Sequence, residues 1–259
     1  MSQLRTSIAL PRFKAAQAVA AGRIAEQWAV RTLWFGEAGI DPTYIAAAAG
    51  AVAATTKALR IGLFIDLDCS ASPLRIAEDV AVLDNLSGGR IELGLVASGE
   101  DDWAERAGTL LDAWEHGWPT PDRNPLAIIP QPIQPLIPRL VVGEPRADEF
   151  FRRYSAGRLL IGGRGKPPPR DGHERRVLLL GLAELVSEAE AVRRLTDLRA
   201  AARGLGASEI MVESDFDSFD VNAMLLGQLI DPAMRCTLDD IPAIVKDAWQ
   251  YLEKVGEKL

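Results

Sequence analysis

The sequence predicts an α/β fold built as one (β/α)8 barrel of the TIM type, shortened or partly irregular. Short apolar runs alternate with amphipathic stretches along the chain, which is typical of βαβ units with parallel strands, and eight such runs occur. The length of 259 residues suits one barrel of this type, which takes about 250 residues. Periodicity alone leaves an open doubly wound sheet as the alternative. We expect a single domain over residues 1–259.

The eight predicted strands are short and rich in apolar and β-branched residues. They cover residues 6–10, 32–35, 59–67, 91–97, 140–143, 158–161, 177–182 and 209–213. The predicted helices cover residues 15–30, 42–58, 73–87, 101–116, 146–154, 187–203, 221–230 and 240–255. The sixth unit lacks an obvious helix, because the glycine- and proline-rich segment 162–172 follows its strand.

Local signals mark the ends of two helices. Asp41-Pro42 and Ser72-Pro73 each combine a capping residue with proline at the first helical position, which predicts a helix start. Gly88-Gly89 ends the helix that begins at Pro73, because glycine readily adopts the positive φ of a helix terminus.

Composition limits the functional classes. The formal net charge is -7 and charged residues make up 25% of the chain, which argues against nucleic acid or an anionic membrane as the main partner. No apolar run reaches the roughly 18 residues of a membrane span. Two cysteines form no disulfide framework, so we expect a cytoplasmic protein. With only His116 and His173, we expect no metal site.

Three segments carry a resemblance to a known family. Residues 73–95 read PLRIAEDVAVLDNLSGGRIELGL, residues 33–42 read LWFGEAGIDP, and residues 130–143 read PQPIQPLIPRLVVG. Together they resemble the luciferase-like monooxygenase superfamily of flavin- and deazaflavin-dependent oxidoreductases, and the second segment is closest to the deazaflavin branch. The resemblance is specific over residues 33–97, fair over residues 126–162 and weak elsewhere. It implies a closed barrel rather than an open sheet.

The motif at residues 84–90 has a structural interpretation. In a barrel it lies where the strands begin, an end that serves stability rather than chemistry. We expect Asp84, Ser87 and Arg90 to be structural, with Asp84 and Arg90 close enough in sequence to bridge the glycine turn.

The resemblance implies that a cofactor, either coenzyme F-420 or FMN, lies over the carboxyl-terminal ends of the third and fourth strands. The alternative is a protein that binds no cofactor. The peptide bond Phe64-Ile65 lies where the family often has a non-prolyl cis bond behind the cofactor ring. The sequence predicts a cis and a trans bond equally at this position. Ser98-Gly99 matches the Ser-Gly that follows the fourth strand in deazaflavin relatives; a simple turn is the alternative. Gly143 lies at the end of the fifth strand.

Two further groups are candidate functional residues. Gly162, Gly163 and Arg164 supply backbone N–H groups and a positive charge, which suits a phosphate, although a solvated loop is the alternative. Glu37 follows the second strand and is the candidate proton donor of the site; a satisfied carboxylate at the barrel rim is the alternative. The acidic segment 215–220 is interpreted as a capping loop rather than a calcium site.

Several departures from the family pattern leave two functions open. Val96 replaces a common glycine, Ala38 follows Glu37 where relatives often have histidine, Phe64 is bulkier than usual, and the segment after the fourth strand is short. The first hypothesis is an oxidoreductase that transfers hydride to or from a small organic substrate. The second is a non-catalytic or flavin-binding partner subunit. The resemblance and an alanine-rich helix face at residues 45–54 also predict a homodimer.

Overall fold

The computed structural model describes residues 5–37, 39–67, 71–96, 103–117, 127–142, 148–161, 176–181 and 206–230, together with 197, 200, 202 and 204. Eight parallel strands form a closed barrel in sequence order. They are β1 (Arg5–Leu10), β2 (Thr32–Phe35), β3 (Arg60–Asp66), β4 (Ile91–Val96), β5 (Arg139–Val142), β6 (Gly157–Ile161), β7 (Arg176–Gly181) and β8 (Glu209–Glu213). The predicted barrel is confirmed. The open-sheet alternative is wrong because β1 pairs with β8.

Six helices surround the described part of the barrel. They are α1 (Ala15–Gln27), α2 (Pro42–Thr55), α3 (Pro73–Ser87), α4 (Trp103–His116), α5 (Asp148–Tyr154) and α6 (Phe219–Ile230). Of the predicted helix 187–203, only 197, 200 and 202 are described, and all three are helical. The predicted helix 240–255 and the segment 162–172 lie outside the described residues. Among the described helices, none has both the length and the apolar character needed to cross a bilayer.

The predicted helix ends are present, with one difference in mechanism. The Asp41 carboxylate accepts a hydrogen bond from the Thr43 N–H at 2.7 Å, and Pro42 occupies the first helical position. Ser72 precedes α3 in the same way, but its hydroxyl makes no capping hydrogen bond. At the other end of α3, Gly88 has φ 69° and Gly89 has φ 80°, a conformation that a residue with a side chain rarely adopts.

The predicted bridge between Asp84 and Arg90 is wrong, because each side chain binds a different segment. The Asp84 carboxylate accepts from the backbone N–H of Gln134 at 2.9 Å and from its side-chain amide at 2.7 Å. The Arg90 guanidinium donates to Thr56 Oγ1 and to the backbone carbonyls of Ala53, Leu59 and Ser87. The two residues therefore tie α3 to the segment before β5 and to the connection between α2 and β3.

The buried apolar residues form two clusters. The larger lies between the strands and the surrounding helices. The smaller fills the barrel interior, because side chains alternate between the two faces of each strand. Its buried members are Ala9, Trp34, Phe64, Leu140, Leu159, Val177 and Met211. Below this cluster, charged groups close the amino-terminal end of the barrel.

That closure depends on two carboxylates with no solvent exposure, Glu92 and Glu209. One guanidinium nitrogen of Arg31 lies 3.3 Å from an oxygen of each. Arg60 donates to Glu92, and the Ser7 hydroxyl donates to Glu209. Buried charges are tolerated when they are paired and hydrogen-bonded. These ion pairs occupy the amino-terminal end of the barrel beside β3, β4 and β8, and barrels of this type bind their ligands at the carboxyl-terminal end.

Candidate cofactor site at the barrel mouth

The carboxyl-terminal ends of the strands surround a mouth with an aromatic floor. The rings of Phe64 and Trp34 stack with centroids 4.8 Å apart and an interplanar angle of 24°. Trp34 is fully buried, whereas Phe64 keeps 7% exposure, so Phe64 is the upper ring. A flat apolar surface therefore separates the mouth from the barrel interior.

Two glycines make room for these rings. A Cβ atom placed on Gly62 would lie 2.1 Å from the Trp34 ring, and one on Gly94 would lie 2.4 Å from the Phe64 ring. Carbon atoms in contact normally stay about 3.5–4.0 Å apart, so neither position accepts a side chain without moving a ring. Gly62 on β3 and Gly94 on β4 are thus required by the aromatic floor.

Charged side chains lie at the rim of the mouth. Arg12 follows β1 and donates from Nε to Glu37, which follows β2, at 2.9 Å. Their side chains are 84% and 36% exposed. The hydrogen bond and charge of Glu37 raise the pKa of Arg12, and Glu213 at the end of β8 adds to this. Glu37 is therefore a satisfied rim carboxylate and is not buried; its catalytic role stays a prediction.

Sequence reasoning missed a second carboxylate in the mouth. Asp66 ends β3 two residues after Phe64, so alternation directs both to the barrel interior. It is 7% exposed, and its carboxylate accepts a hydrogen bond from the Gly39 N–H at 2.9 Å. The signal was available in the sequence, because an aspartate that ends an otherwise apolar strand of a barrel faces the site.

The backbone beside Phe64 is closely packed. Gly36 has φ +98°, and a Cβ there would lie 2.8 Å from the Phe64 carbonyl oxygen and 2.6 Å from a carbon of Ile45. The Phe64–Ile65 bond is trans, since the one cis peptide among the described residues is Ile129–Pro130. The Ile65 side chain belongs to the outer core, so only its backbone is available to a ligand in the mouth.

The remaining predicted cofactor contacts cannot be placed. Ser98, Gly99, Gly143, Gly162, Gly163 and Arg164 lie outside the described residues, as does Ala38. Val96 packs against the inner cluster at the end of β4. Its side chain takes up space that a glycine would leave open beside the Phe64 ring.

Two further acidic groups lie on α4 and immediately before α6. Asp112, Glu115 and His116 on α4 bring three potential metal-ligand atoms within 4.8 Å of one another, at the helix end that lies near the sealed side of the barrel. Asp215 closes the turn that precedes α6, because its carboxylate accepts from the Ser218 hydroxyl and from the Ser218 N–H, the latter at 2.9 Å. These hydrogen bonds lower the pKa of Asp215.

Comparison with known proteins identifies the family. The family model described as luciferase-like monooxygenase matches residues 2–138, which is more than half of the chain. The chain belongs to the luciferase-like monooxygenase family. The match includes β1–β4, the aromatic floor, Glu37 and Asp66. No curated protein sequence matches the chain.

Three solved structures share the fold of the chain. The monooxygenase RslO1 from Streptomyces bottropensis superposes with a TM-score of 0.64 at 15% identity, covering 90% of this chain and 100% of that one. The coenzyme F-420-dependent tetrahydromethanopterin reductase from Methanopyrus kandleri gives 0.59 at 13%, covering 91% and 100%. The oxygenating constituent of 3,6-diketocamphane monooxygenase from Pseudomonas putida, in complex with FMN, gives 0.61 at 12%, covering 90% and 100%.

Proposed function

We propose that this protein is an oxidoreductase that binds coenzyme F-420 or FMN in the mouth and transfers hydride to or from a small organic substrate. The family supports a flavin or deazaflavin reaction in general, and structural neighbours include one protein named for coenzyme F-420 and one in complex with FMN. Either cofactor supplies the hydride chemistry when bound. The protein supplies binding, orientation and proton control.

The observation that carries the proposal is the arrangement of the mouth. Its floor is the aromatic face of Phe64, while its charged groups are held at or near the rim. Small-molecule sites combine an apolar surface with a few placed polar groups. The tricyclic ring of either cofactor is planar and apolar on its faces and polar at one edge. The residues present fit such a ring, with the face on Phe64 and the polar edge toward Asp66.

The role of Asp66 follows from its burial. A carboxylate has two oxygens that accept several hydrogen bonds, so Asp66 can accept from a ring N–H in addition to the Gly39 N–H. A hydrogen bond to a charged acceptor in a buried site contributes about 1.5–3 kcal/mol. Asp66 therefore fixes the orientation of the ring in the mouth.

Glu37 is proposed to exchange a proton with the substrate. It lies at the rim, where solvent can resupply the proton, and the 2.9 Å contact with Arg12 holds its carboxylate in place. Because this ion pair is exposed to solvent, it is weak. A ligand that enters the mouth can therefore displace Arg12 from Glu37.

A titration tests the proposed function. Full-length protein is titrated with FMN and with coenzyme F-420, and dissociation constants are measured for wild type, Asp66→Asn and the control Asp79→Asn. Asp79 pairs with Arg75 on the surface of α3 and belongs neither to the aromatic floor nor to the charged rim. We expect micromolar binding of one cofactor by wild type and by the control, with binding about 10-fold weaker for Asp66→Asn, equivalent to about 1.4 kcal/mol.

The outcomes separate the two functions that the sequence leaves open. Binding with substrate-dependent turnover that falls in Glu37→Gln supports the oxidoreductase. Stoichiometric binding without turnover across a panel of small carbonyl and alkene substrates indicates a flavin-binding partner subunit. Binding of neither cofactor at millimolar concentration contradicts the proposal.

We also propose a homodimer formed through the outer faces of α2 and α3. On α3, Leu86 is 71% exposed and Val82 is 40% exposed, and they lie one helical turn apart. Exposed apolar residues that cluster mark interaction surfaces. Sedimentation equilibrium at micromolar concentration is expected to give twice the monomer mass, and Leu86→Lys is expected to give the monomer. A monomeric wild type contradicts this assembly.

A further inference from the structure

Glu213 ends β8 on the inner side of the barrel. In the strand register it lies beside Ala9 of β1 and Gly181 of β7. Ala9 belongs to the inner apolar cluster, and so does Met211, two positions before Glu213. Alternate residues of a strand share a face, and neighbours in register on parallel strands lie on the same face of the sheet. Glu213 is therefore directed into the mouth, one layer above the inner cluster.

The carboxylate of Glu213 is available to a ligand. It is exposed, and within the described part of the chain it takes part in no hydrogen bond or ion pair. Its neighbours in register are an alanine and a glycine, which offer no polar side-chain atom. Arg12 is near enough for the charge of Glu213 to raise its pKa, but the Arg12 guanidinium donates to Glu37.

The other charged groups described in the mouth are engaged. Asp66 accepts a hydrogen bond from the Gly39 N–H, and Arg12 and Glu37 bind one another at 2.9 Å. Asp66 and Glu37 also have the roles proposed above, at the ring edge and in proton exchange. Among the described residues of the mouth, Glu213 is therefore the charged group that is left to bind the substrate.

We propose that Glu213 is a substrate-binding residue that selects small organic substrates bearing a protonated amino group. A carboxylate binds an ammonium group through charge-assisted hydrogen bonds, which are stronger than those it accepts from a neutral hydroxyl. It repels carboxylates and phosphates by its charge. The face of Phe64 adds to this preference, because aromatic faces attract organic cations. This inference rests on the proposed function only in taking the mouth as the substrate site.

Three probes of similar shape test the preference: 4-phenylbutylamine, 4-phenylbutanol and 4-phenylbutyrate. Their phenyl ring suits the Phe64 face, and their flexible stem carries a cation, a neutral hydroxyl or an anion. Calorimetric titrations at neutral pH, without cofactor, compare wild type with Glu213→Gln, Glu213→Arg and the control Asp79→Asn. The control removes one negative charge from the surface of α3. Circular dichroism verifies that each variant is folded.

We expect wild type to bind the amine about 5-fold more tightly than the alcohol, the upper end for an ion pair that solvent can reach, and to bind the carboxylate most weakly. Glu213→Gln should bring the amine and the alcohol within about 2-fold of each other. Glu213→Arg should reverse the order, so that the carboxylate binds most tightly. Asp79→Asn should behave as wild type does.

A wild type that binds the alcohol or the carboxylate at least as tightly as the amine would overturn the proposal. A preference for the amine that survives Glu213→Gln, or failure of all three probes to bind at millimolar concentration, would overturn it too. Because these titrations contain no cofactor, their result is independent of the flavin titration. Loss of flavin binding with the amine preference intact would contradict the proposed function alone.

Discussion

Substitution of Gly62 by alanine tests the aromatic floor in its most tightly packed part. The new Cβ would lie 2.1, 2.2 and 2.6 Å from three carbons of the Trp34 ring, where a normal carbon contact is about 3.5–4.0 Å. The indole must move by more than about 1 Å, but Phe64 stacks on it with ring centroids 4.8 Å apart, so both rings must shift together.

We therefore expect Gly62→Ala to lower the free energy of unfolding by about 3 kcal/mol, the upper end for overpacked cores. For a chain of this size, that lowers the melting temperature by about 6–12 °C. Thermal unfolding followed by circular dichroism, together with urea titration where unfolding is reversible, measures both quantities.

Gly50→Ala is the matched control. A Cβ on Gly50 would meet only one carbon of Leu83, at an ordinary 3.5 Å, and Gly50 lies within α2. Alanine is favoured over glycine inside a helix by about 1 kcal/mol, so this variant should be slightly more stable than wild type. The packing argument is refuted if Gly62→Ala unfolds within about 0.5 kcal/mol of wild type.

Three further predictions concern stability. Arg90→Lys should lower the free energy of unfolding, measured by urea titration, by about 2–3 kcal/mol, because lysine cannot replace a guanidinium that donates to four acceptors. A decrease below about 0.5 kcal/mol would contradict this prediction. Burial raises the pKa of Glu26, but hydrogen bonds from the backbone N–H groups of residues 57–59 lower it by more, so the net effect is a decrease. The stability that Glu26 contributes is present above its unfolded pKa and is lost as pH falls through the folded pKa. Glu26→Gln should therefore lose less free energy of unfolding than wild type between pH 5 and pH 3. Burial, followed by the hydrogen bond with Asp112, raises the pKa of Tyr154 to about 12. The stability that this raised pKa contributes is fully present below pH 10 and is lost as pH rises through 12. Tyr154→Phe should therefore reduce the change in the free energy of unfolding between pH 10 and pH 12.

Most of the fold was predictable because its signals are local. Apolar runs, Asp41-Pro42 and the glycine pair after α3 mark elements through backbone preferences that act over a few residues. Contacts between distant segments were not predictable in this way. Asp84 binds Gln134 rather than Arg90, because the segment before β5 folds back onto the end of α3, which sequence spacing does not reveal.

In the candidate site, too, local features were predictable and contacts between distant segments were not. The position of Glu37 at the mouth followed from the end of a strand, whereas its pairing with Arg12 depends on two neighbouring strand ends. The aromatic floor needed the register of three strands, since Trp34 on β2 lies over Gly62 on β3 while Phe64 lies over Gly94 on β4. Asp66 was predictable from alternation once Phe64 faced the interior.

The central claim is that a flavin or deazaflavin ring binds in the mouth, with its face on Phe64 and its polar edge at Asp66. A crystal structure of the protein grown with FMN or coenzyme F-420 tests this most directly. We predict electron density for the ring over the carboxyl-terminal ends of β3 and β4, with a ring nitrogen within hydrogen-bond distance of the Asp66 carboxylate. A ring bound elsewhere on the protein, or a mouth that stays empty at saturating cofactor, would contradict it.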